Sequence, residues 1–268
     1  MSMKSKLTDV RTPWQKEWDK LQVKEENYLH KNRDKKESFL NEKLEDKVPE
    51  KLQGILNKAF AKAFEIVFEK GTKVIEKTYK KDQLEHNFKV NEFSASLRED
   101  KQTLRKFSKN ASTSSTKNLL LSGVEGFGLG VLGIGVPDIP LFVGMLLKSI
   151  YEVALNYGYP YDTEEEKYFI LKLIEASCLH GSQLIEANQE VDTYIQTKTL
   201  PENYDQKVQI QATSTVMSTE MIYTKFLQGI PLVGAVGGAY DAIYIQKVLT
   251  YAKIKYNKRF LKDRRKNA

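Results

Sequence analysis

Two apolar, glycine-rich stretches limit the folds open to this chain more than any other feature. They run from Leu119 to Leu147, with seven glycines, and from Phe226 to Ile245, in a chain of 268 residues of which 29% are charged. Glu125 and Asp138 are the only charged residues of the first stretch, and Asp241 is the only one of the second. An amphipathic surface helix does not have this composition. The stretches are therefore expected to pack closely inside the protein or to contact a membrane.

Breaks within the first stretch argue against a simple transmembrane helix. Leu119 to Val136 is 18 residues long, close to the roughly 20 residues that span a bilayer, but it contains Glu125 and ends at the Pro137 to Pro140 element. Gly126 and Gly130 lie four residues apart, a spacing that lets a second helix backbone approach closely. We therefore predict two glycine-rich, proline-broken apolar helical hairpins, which pack on each other or contact lipid.

Helix start and stop signals divide the rest of the chain into amphipathic helices. Thr12 before Pro13 is typical of a helix start. A wide apolar stripe begins after Pro49 and is predicted to end at Gly71. The segment 163–166 has the pattern of a capping box. Because no stretch alternates polar and apolar residues with period two, we predict an all-α, multi-helix bundle.

A run of serine and threonine at 111–116 predicts a loop or linker. It would separate a charged amphipathic helical region, residues 1–110, from a glycine-rich apolar helical core with a basic C-terminal helix, residues 111–268. The two parts are expected to form one integrated fold.

The net charge of +7 is distributed unevenly. Residues 111–246 carry seven basic and fifteen acidic side chains, whereas residues 247–268 carry nine basic side chains and one acidic. A basic segment next to apolar surface is typical of binding to an anionic leaflet. A solvated C-terminal tail is the plain alternative, and nucleic-acid binding is not predicted because no supporting motif is present. The predicted membrane-surface cations are Lys253, Lys255, Lys258, Arg259, Lys262, Arg264, Arg265 and Lys266.

No motif of an enzyme, cofactor site or metal site stands out, so no cofactor or metal is predicted. Cys178 and His180 lie two positions apart in a helical pattern, which would point them away from each other; we predict that Cys178 is a core residue. A carboxylate within an apolar stretch needs a partner or a cleft. Glu125, Asp138 and Asp241 are therefore the candidate catalytic residues, although Asp138 could instead cap the helix that begins near Pro140.

The cysteine content and the amino terminus predict the cellular compartment. A single cysteine forms no internal disulfide, and the first residues contain no apolar run of the kind that forms a signal peptide. We expect a cytoplasmic protein, peripheral at the inner face of the membrane. The oligomeric state is left open.

Several of these elements together resemble the EcsC family. They are Glu125-Gly126, the segment from Gly133 to Pro140, the segment from Gly229 to Gly234, and the early helices at Trp18 and Pro49. The similarity extends over most of the chain and is most specific in Gly-Val-Pro-Asp-Ile-Pro. Because the name-giving member is encoded beside the subunits of an ABC exporter, the resemblance implies a membrane-linked accessory role. It supplies no catalytic residues.

These observations leave three hypotheses of different classes. The first is a non-enzymatic, membrane-associated accessory protein whose partners are an anionic membrane surface or membrane transporter subunits. The second is a hydrolase-like enzyme that uses a buried carboxylate such as Glu125 or Asp138. The third is a soluble helical interaction module.

Overall fold

The computed structural model describes residues 11–33, 50–76, 79–97, 100–121, 138–227 and 238–267. The predicted all-α bundle is confirmed, since all regular structure in these ranges is helical. Most of each predicted glycine-rich hairpin, 122–137 and 228–237, lies outside the described residues. The helices are α1 (Pro13–Arg33), α2 (Glu50–Ile66), α3 (Thr72–Glu76), α4 (Lys81–Leu97), α5 (Lys101–Leu121), α6 (Asp138–Asn156), α7 (Glu164–Cys178), α8 (Gly181–Thr197), α9 (Gln206–Leu227) and α10 (Gly238–Asn267).

Two predicted helix starts are found where the capping residues placed them. Helix α1 begins at Pro13, and the hydroxyl of Thr12 accepts a hydrogen bond from the N–H of Gln15 at 3.2 Å. Helix α7 follows Thr163, whose hydroxyl accepts from the N–H of Glu166, also at 3.2 Å. In both cases a side-chain oxygen satisfies a backbone donor that has no partner within the helix.

Two predicted breaks are wrong. The helix that begins after Pro49 does not end at Gly71, because α2 continues through a π-helical turn, Val67–Gly71, directly into α3. The serine and threonine run at 111–116 is not a loop but part of α5. Leu104, Phe107 and Ala111 repeat on one buried face of α5, and this packing outweighs the weak helix propensity of the run.

Helix α6 lies in the middle of the bundle and packs against α2, α4, α5 and α10. Its core face includes Val143, Leu146 and Ile150, which are fully buried. A tight turn follows the helix, where Gly158 has a φ of +79° and a Cβ atom would lie 2.3 Å from the ring of Phe88. Only glycine fits this turn, because an added side chain would meet both backbone strain and the ring.

Helices α6 and α10 run parallel and in register. The rings of Phe142 and Tyr244, near the two helix starts, lie 5.6 Å apart, and those of Tyr157 and Phe260, near the opposite end, also lie 5.6 Å apart. The first residues of the two helices therefore lie at the same end of the bundle, which we call the start end. Segments 122–137 and 228–237 both join the described fold there.

Candidate functional site

The eight cations predicted to face a membrane all lie on α10, where two of them belong to a partly buried ring of charges. The ammonium of Lys255, which is fully buried, donates to Glu25 and, at 2.6 Å, to Oδ1 of Asp192. The ammonium of Lys258 donates to the second oxygen of each carboxylate, at 2.7 Å and 2.8 Å. We call these four residues the lysine ring. It joins α1, α8 and α10.

Arg259, which directly follows Lys258 in α10, lies in a buried pocket of aromatic side chains. Its Nη1 donates to Oε2 of Glu166 at 2.6 Å, and the hydroxyl of Tyr256 donates to Oε1 at 2.6 Å. The guanidinium lies 4.0 Å from the ring centroid of Tyr159. We call Tyr159, Glu166, Tyr256 and Arg259 the arginine cluster. It fastens α7 to α10 by charge, hydrogen bonding and cation–π contact.

The pKa values of these cations follow their depth and their partners. Burial lowers the pKa of Lys255, and the carboxylates of Asp192 and Glu25 only partly offset this effect. Burial also opposes the charge of Lys258, but its hydrogen bonds to Asp192 and Glu25 outweigh burial and raise its pKa. The same balance, with Glu166 as the main partner, raises the pKa of Arg259.

The other five predicted surface cations lie at the sides and end of α10. Arg264 pairs with Glu92 of α4 at 2.9 Å, and the guanidinium of Arg265 lies 5.0 Å from the ring centroid of Trp14. The remaining three are Lys253 and Lys262, both half-buried, and Lys266, whose side chain lies outside the described residues.

The predicted cations therefore do not form one continuous exposed surface on α10. Lys255 and Arg259 are interior residues, and their charges are matched by carboxylates that the sequence analysis did not connect with them. The reason is that α10 is surrounded by other helices along much of its length, so its cations fall on buried as well as exposed faces.

Three candidate catalytic carboxylates belong to the glycine-rich stretches. Glu125 lies outside the described residues. Asp138 is the first residue of α6, and Asp241 lies in the first turn of α10; the backbone of both is described, but not their side chains. The parallel arrangement of α6 and α10 brings the backbones of Asp138 and Asp241 to the start end. This proximity was not evident from their separation in the sequence.

Cys178 contacts Tyr244 just inside the start end. The thiol and the tyrosine hydroxyl lie 2.8 Å apart, and both side chains are buried. Burial raises the pKa of the Cys178 thiol to about 11, so the thiolate that a nucleophilic cysteine requires is scarce at neutral pH. The prediction that Cys178 is a core residue is confirmed.

His180 does not pair with Cys178 but with Glu220 of α9. The helical pattern that predicted one continuous helix is interrupted here, since α7 ends at Cys178 and α8 begins at Gly181. Nε2 of His180 lies 3.1 Å from Oε2 of Glu220, whose other oxygen accepts from Lys247 at 2.5 Å. Burial opposes the charge of Glu220, but these two partners outweigh it and hold its pKa below the ordinary value.

Within the described ranges, no helix is long and apolar enough to cross a bilayer, and no three side chains of metal-binding type are close enough to hold an ion.

Nδ1 of His180 is buried and has no hydrogen-bond partner in the described part of the chain. His180, which directly precedes α8, is thus linked to α9 through Glu220, and Glu220 is linked to α10 through Lys247.

Comparison with known proteins gives one match. No solved structure and no protein of curated function matches the chain significantly. The model of the EcsC protein family matches residues 15–261, which is nearly the whole chain and includes the lysine ring, the arginine cluster and both glycine-rich stretches. The chain therefore belongs to the EcsC protein family.

Proposed function

We propose that this protein is a non-enzymatic accessory protein that binds the inner face of a membrane with its start end. The observation that carries the proposal is the parallel packing of α6 on α10. Because of this packing, segments 122–137 and 228–237 continue from the same end of the bundle, and together they contain 26 residues with Glu125 as their only charge.

Apolar contact, rather than charge, is the expected source of binding energy. Lys255, Lys258 and Arg259 are already paired with carboxylates of the same chain, so they have little charge left to attract anionic lipid. Each buried methylene group contributes about 0.8 kcal/mol to transfer from water. An exposed apolar residue of the described fold, Ile243, lies at the start end next to Tyr244, with 62% of its surface accessible.

The identity of the membrane partner is a more specific proposal, and it rests on the EcsC resemblance alone. It is a subunit of an ABC transporter, held close to the bilayer by the same surface. Co-purification of such a subunit with the tagged full chain from detergent-solubilised membranes would support it. Recovery of the tagged chain without any transporter subunit would contradict it.

Vesicle flotation tests the membrane proposal and separates apolar from electrostatic binding. The full chain is expected to float with phosphatidylcholine vesicles as well as with vesicles containing phosphatidylglycerol, and to stay bound in about 0.5 M salt, where charge attraction is screened. Absence from both lipid fractions would refute membrane binding. Binding only to anionic vesicles, and its loss in salt, would refute the apolar mechanism.

A pair of matched variants locates the contact. Ile243→Glu is expected to weaken binding to phosphatidylcholine vesicles by about tenfold, because a carboxylate is costly to bring near hydrocarbon. Val208→Glu is the control: Val208 is similarly exposed, at 68%, but it lies near the start of α9. That position is roughly 28 Å along the helix from Leu227, where segment 228–237 begins. Equal effects of the two variants would contradict the assignment of the start end.

A further inference from the structure

All the charged residues of helix α5 are basic. Its sequence contains five lysine and arginine residues and no acidic residue. Lys101 and Arg105 lie one turn apart and are exposed, on the side of α5 that packs against α1. An anion that approaches this side of α5 therefore meets no carboxylate of the helix itself.

Glu17 of α1 holds two cations on one carboxylate oxygen. Its Oε1 accepts from the ammonium of Lys20 at 2.8 Å and from Nε of Arg105 at 3.0 Å. Because both bonds end on the same atom, the two cationic groups lie side by side. The side chain of Glu17 is 16% exposed, whereas those of Lys20 and Arg105 are 40% and 51% exposed. The carboxylate thus lies beneath two cations that face the solvent.

Lys101 adds a third cation without a negative partner of its own. It makes no ion pair with a carboxylate of the described residues. The carboxylate of the preceding residue, Asp100, instead accepts from two backbone N–H groups in the first turn of α5, at 2.8 Å and 2.9 Å. Repulsion from Lys20, and then from Arg105, lowers the pKa of Lys101. Three cations therefore meet around one paired carboxylate.

The donors and the charge of this cluster suit a tetrahedral dianion. Arg105 uses Nε for Glu17, and no described residue accepts from its two Nη groups. A guanidinium fork and lysine ammonium groups are typical phosphate-binding groups. Two positive charges remain after Glu17 is counted, and a phosphate monoester has a charge of about −1.5 to −2 at pH 7. A carboxylate ligand would balance only one of them.

The cluster lies far from the start end. Trp14, one turn before Glu17 on α1, donates from its indole N–H to the carbonyl of Leu261 at 2.7 Å. Leu261 lies about 27 Å along α10 from Ile243, which marks the proposed membrane contact. A phosphate bound here is therefore expected to come from a soluble molecule and not from a lipid headgroup.

We infer that Lys20, Lys101 and Arg105 bind the phosphate group of a soluble phosphate monoester. Both Nη groups of Arg105 would donate to two phosphate oxygens, and the ammonium groups of Lys20 and Lys101 to the others. Glu17 acts as a positioning residue, because its carboxylate fixes Nε of Arg105 and the ammonium of Lys20 from beneath.

Titration of the full chain with methyl phosphate tests the inference by two-dimensional ¹H–¹⁵N NMR at pH 7.5 and low salt. We expect saturable shifts of backbone amides in residues 16–21 and 100–106. Dimethyl phosphate differs by one methyl group and has a single negative charge. It is expected to bind about tenfold more weakly, because it loses a charge-assisted hydrogen bond. No saturable shift with methyl phosphate, or equal affinity for both esters, would overturn the inference.

Two exposed lysines give a matched pair of variants. Lys101→Gln is expected to weaken methyl phosphate binding by about tenfold. Lys207→Gln makes the same change in net charge on α9, which packs against α2 and α7, and is expected to change the affinity by less than about twofold. Equal weakening by both variants, or none by Lys101→Gln, would overturn the assignment of the site.

Vesicle flotation tests the source of the phosphate. Lys101→Gln is expected to float with vesicles containing phosphatidic acid as the wild type does. Weaker flotation of Lys101→Gln, with normal flotation of Lys207→Gln, would show that the site binds a lipid headgroup and would overturn the soluble ligand. The methyl phosphate titration contains no lipid, so its result is independent of the membrane proposal.

Discussion

The arginine cluster and the lysine ring occupy adjacent positions in the same turn of α10, but their surroundings differ. Glu166 and Arg259 are enclosed by aromatic side chains, and their residue exposures are 2% and 8%. In the lysine ring, Lys255 is equally deep, but Asp192 retains 23% of its side-chain exposure and lies along an open groove. Water can therefore reach one edge of the ring, whereas it is excluded from the arginine cluster.

This difference indicates different roles for similar ion pairs. A buried pair contributes little net stability compared with an apolar pair, but removal of one partner leaves a charge that is not solvated. In the arginine cluster, Glu166 is the carboxylate that pairs with Arg259 among the described residues. In the lysine ring each cation has a second carboxylate, and water can solvate Lys258 and Asp192. We therefore interpret the arginine cluster as a structural fastening and the lysine ring as a partly hydrated ion network at the edge of an open groove.

Glu166→Gln is expected to have the largest effect, a loss of about 3–5 kcal/mol in the free energy of unfolding. Glutamine fits the space and can still accept a hydrogen bond from Tyr256, but it leaves the charge of Arg259 without a counterion. Urea unfolding followed by circular dichroism measures the loss. Glu164→Gln is the control on the exposed first turn of α7, where the helix dipole accounts for less than about 1 kcal/mol. A loss as small as that of the control would show that the arginine cluster is not a fastening.

Glu25→Gln is expected to cost less, about 1–3 kcal/mol in the same unfolding experiment. Lys255 and Lys258 both keep Asp192 as a partner, at 2.6 Å and 2.8 Å, and water can enter from the groove. Glu26→Gln, one residue further along α1, is the control and is expected to change stability by less than about 0.5 kcal/mol. If Glu25→Gln costs as much as Glu166→Gln, then the groove does not solvate the ring and the two clusters are equivalent.

The helical fold could be predicted because its signals are local. A capping residue such as Thr163 acts within one turn, and the apolar stripe after Pro49 is a property of one helix. The wrong predictions arise where distant contacts decide the structure. Nothing local at Gly71 reveals the π-helical turn, and the serine and threonine run remains helical because Phe107 and Ala111 of the same helix are buried.

The candidate site was harder to predict because its pairs are distant in sequence. Lys255 is 230 residues from Glu25 and 63 from Asp192, so no spacing rule connects them. The basic composition of α10 gave a correct count of cations but no information about which of them are buried. The sequence placed Glu166 in a capping box. The hydroxyl of Thr163 does accept from the backbone N–H of Glu166, but the Glu166 carboxylate accepts from Arg259 and does not bind the backbone at the helix start.

The smallest expected effect is that of alkaline pH, which should reduce the contribution of Lys258 to the free energy of unfolding by up to about 1 kcal/mol but leave that of Arg259 unchanged. The pKa of Lys258 is raised in the folded protein, so its contribution to stability is complete below the unfolded value of about 10.4 and is lost as the pH rises through the folded value. The stability difference between wild type and Lys258→Met should therefore shrink above about pH 10. Arg259 has a raised pKa and stays charged, so the difference for Arg259→Met should stay constant up to about pH 11.

Titration of Lys255 makes the decrease expected for Lys258→Met at high pH smaller but does not reverse it. Its pKa is lowered, chiefly by burial and also by repulsion from Lys258. Removal of Lys258 relieves that repulsion, so the pKa of Lys255 is higher in the variant than in the wild type. This change offsets part of the decrease in the stability difference between the two proteins. Urea unfolding of the three proteins at pH 7, 9, 10 and 11 measures both differences. If the stability differences of Lys258→Met and Arg259→Met depend on pH in the same way, then Lys258 does not titrate in this range either. That result would remove the distinction between a solvent-accessible lysine ring and a solvent-excluded arginine cluster.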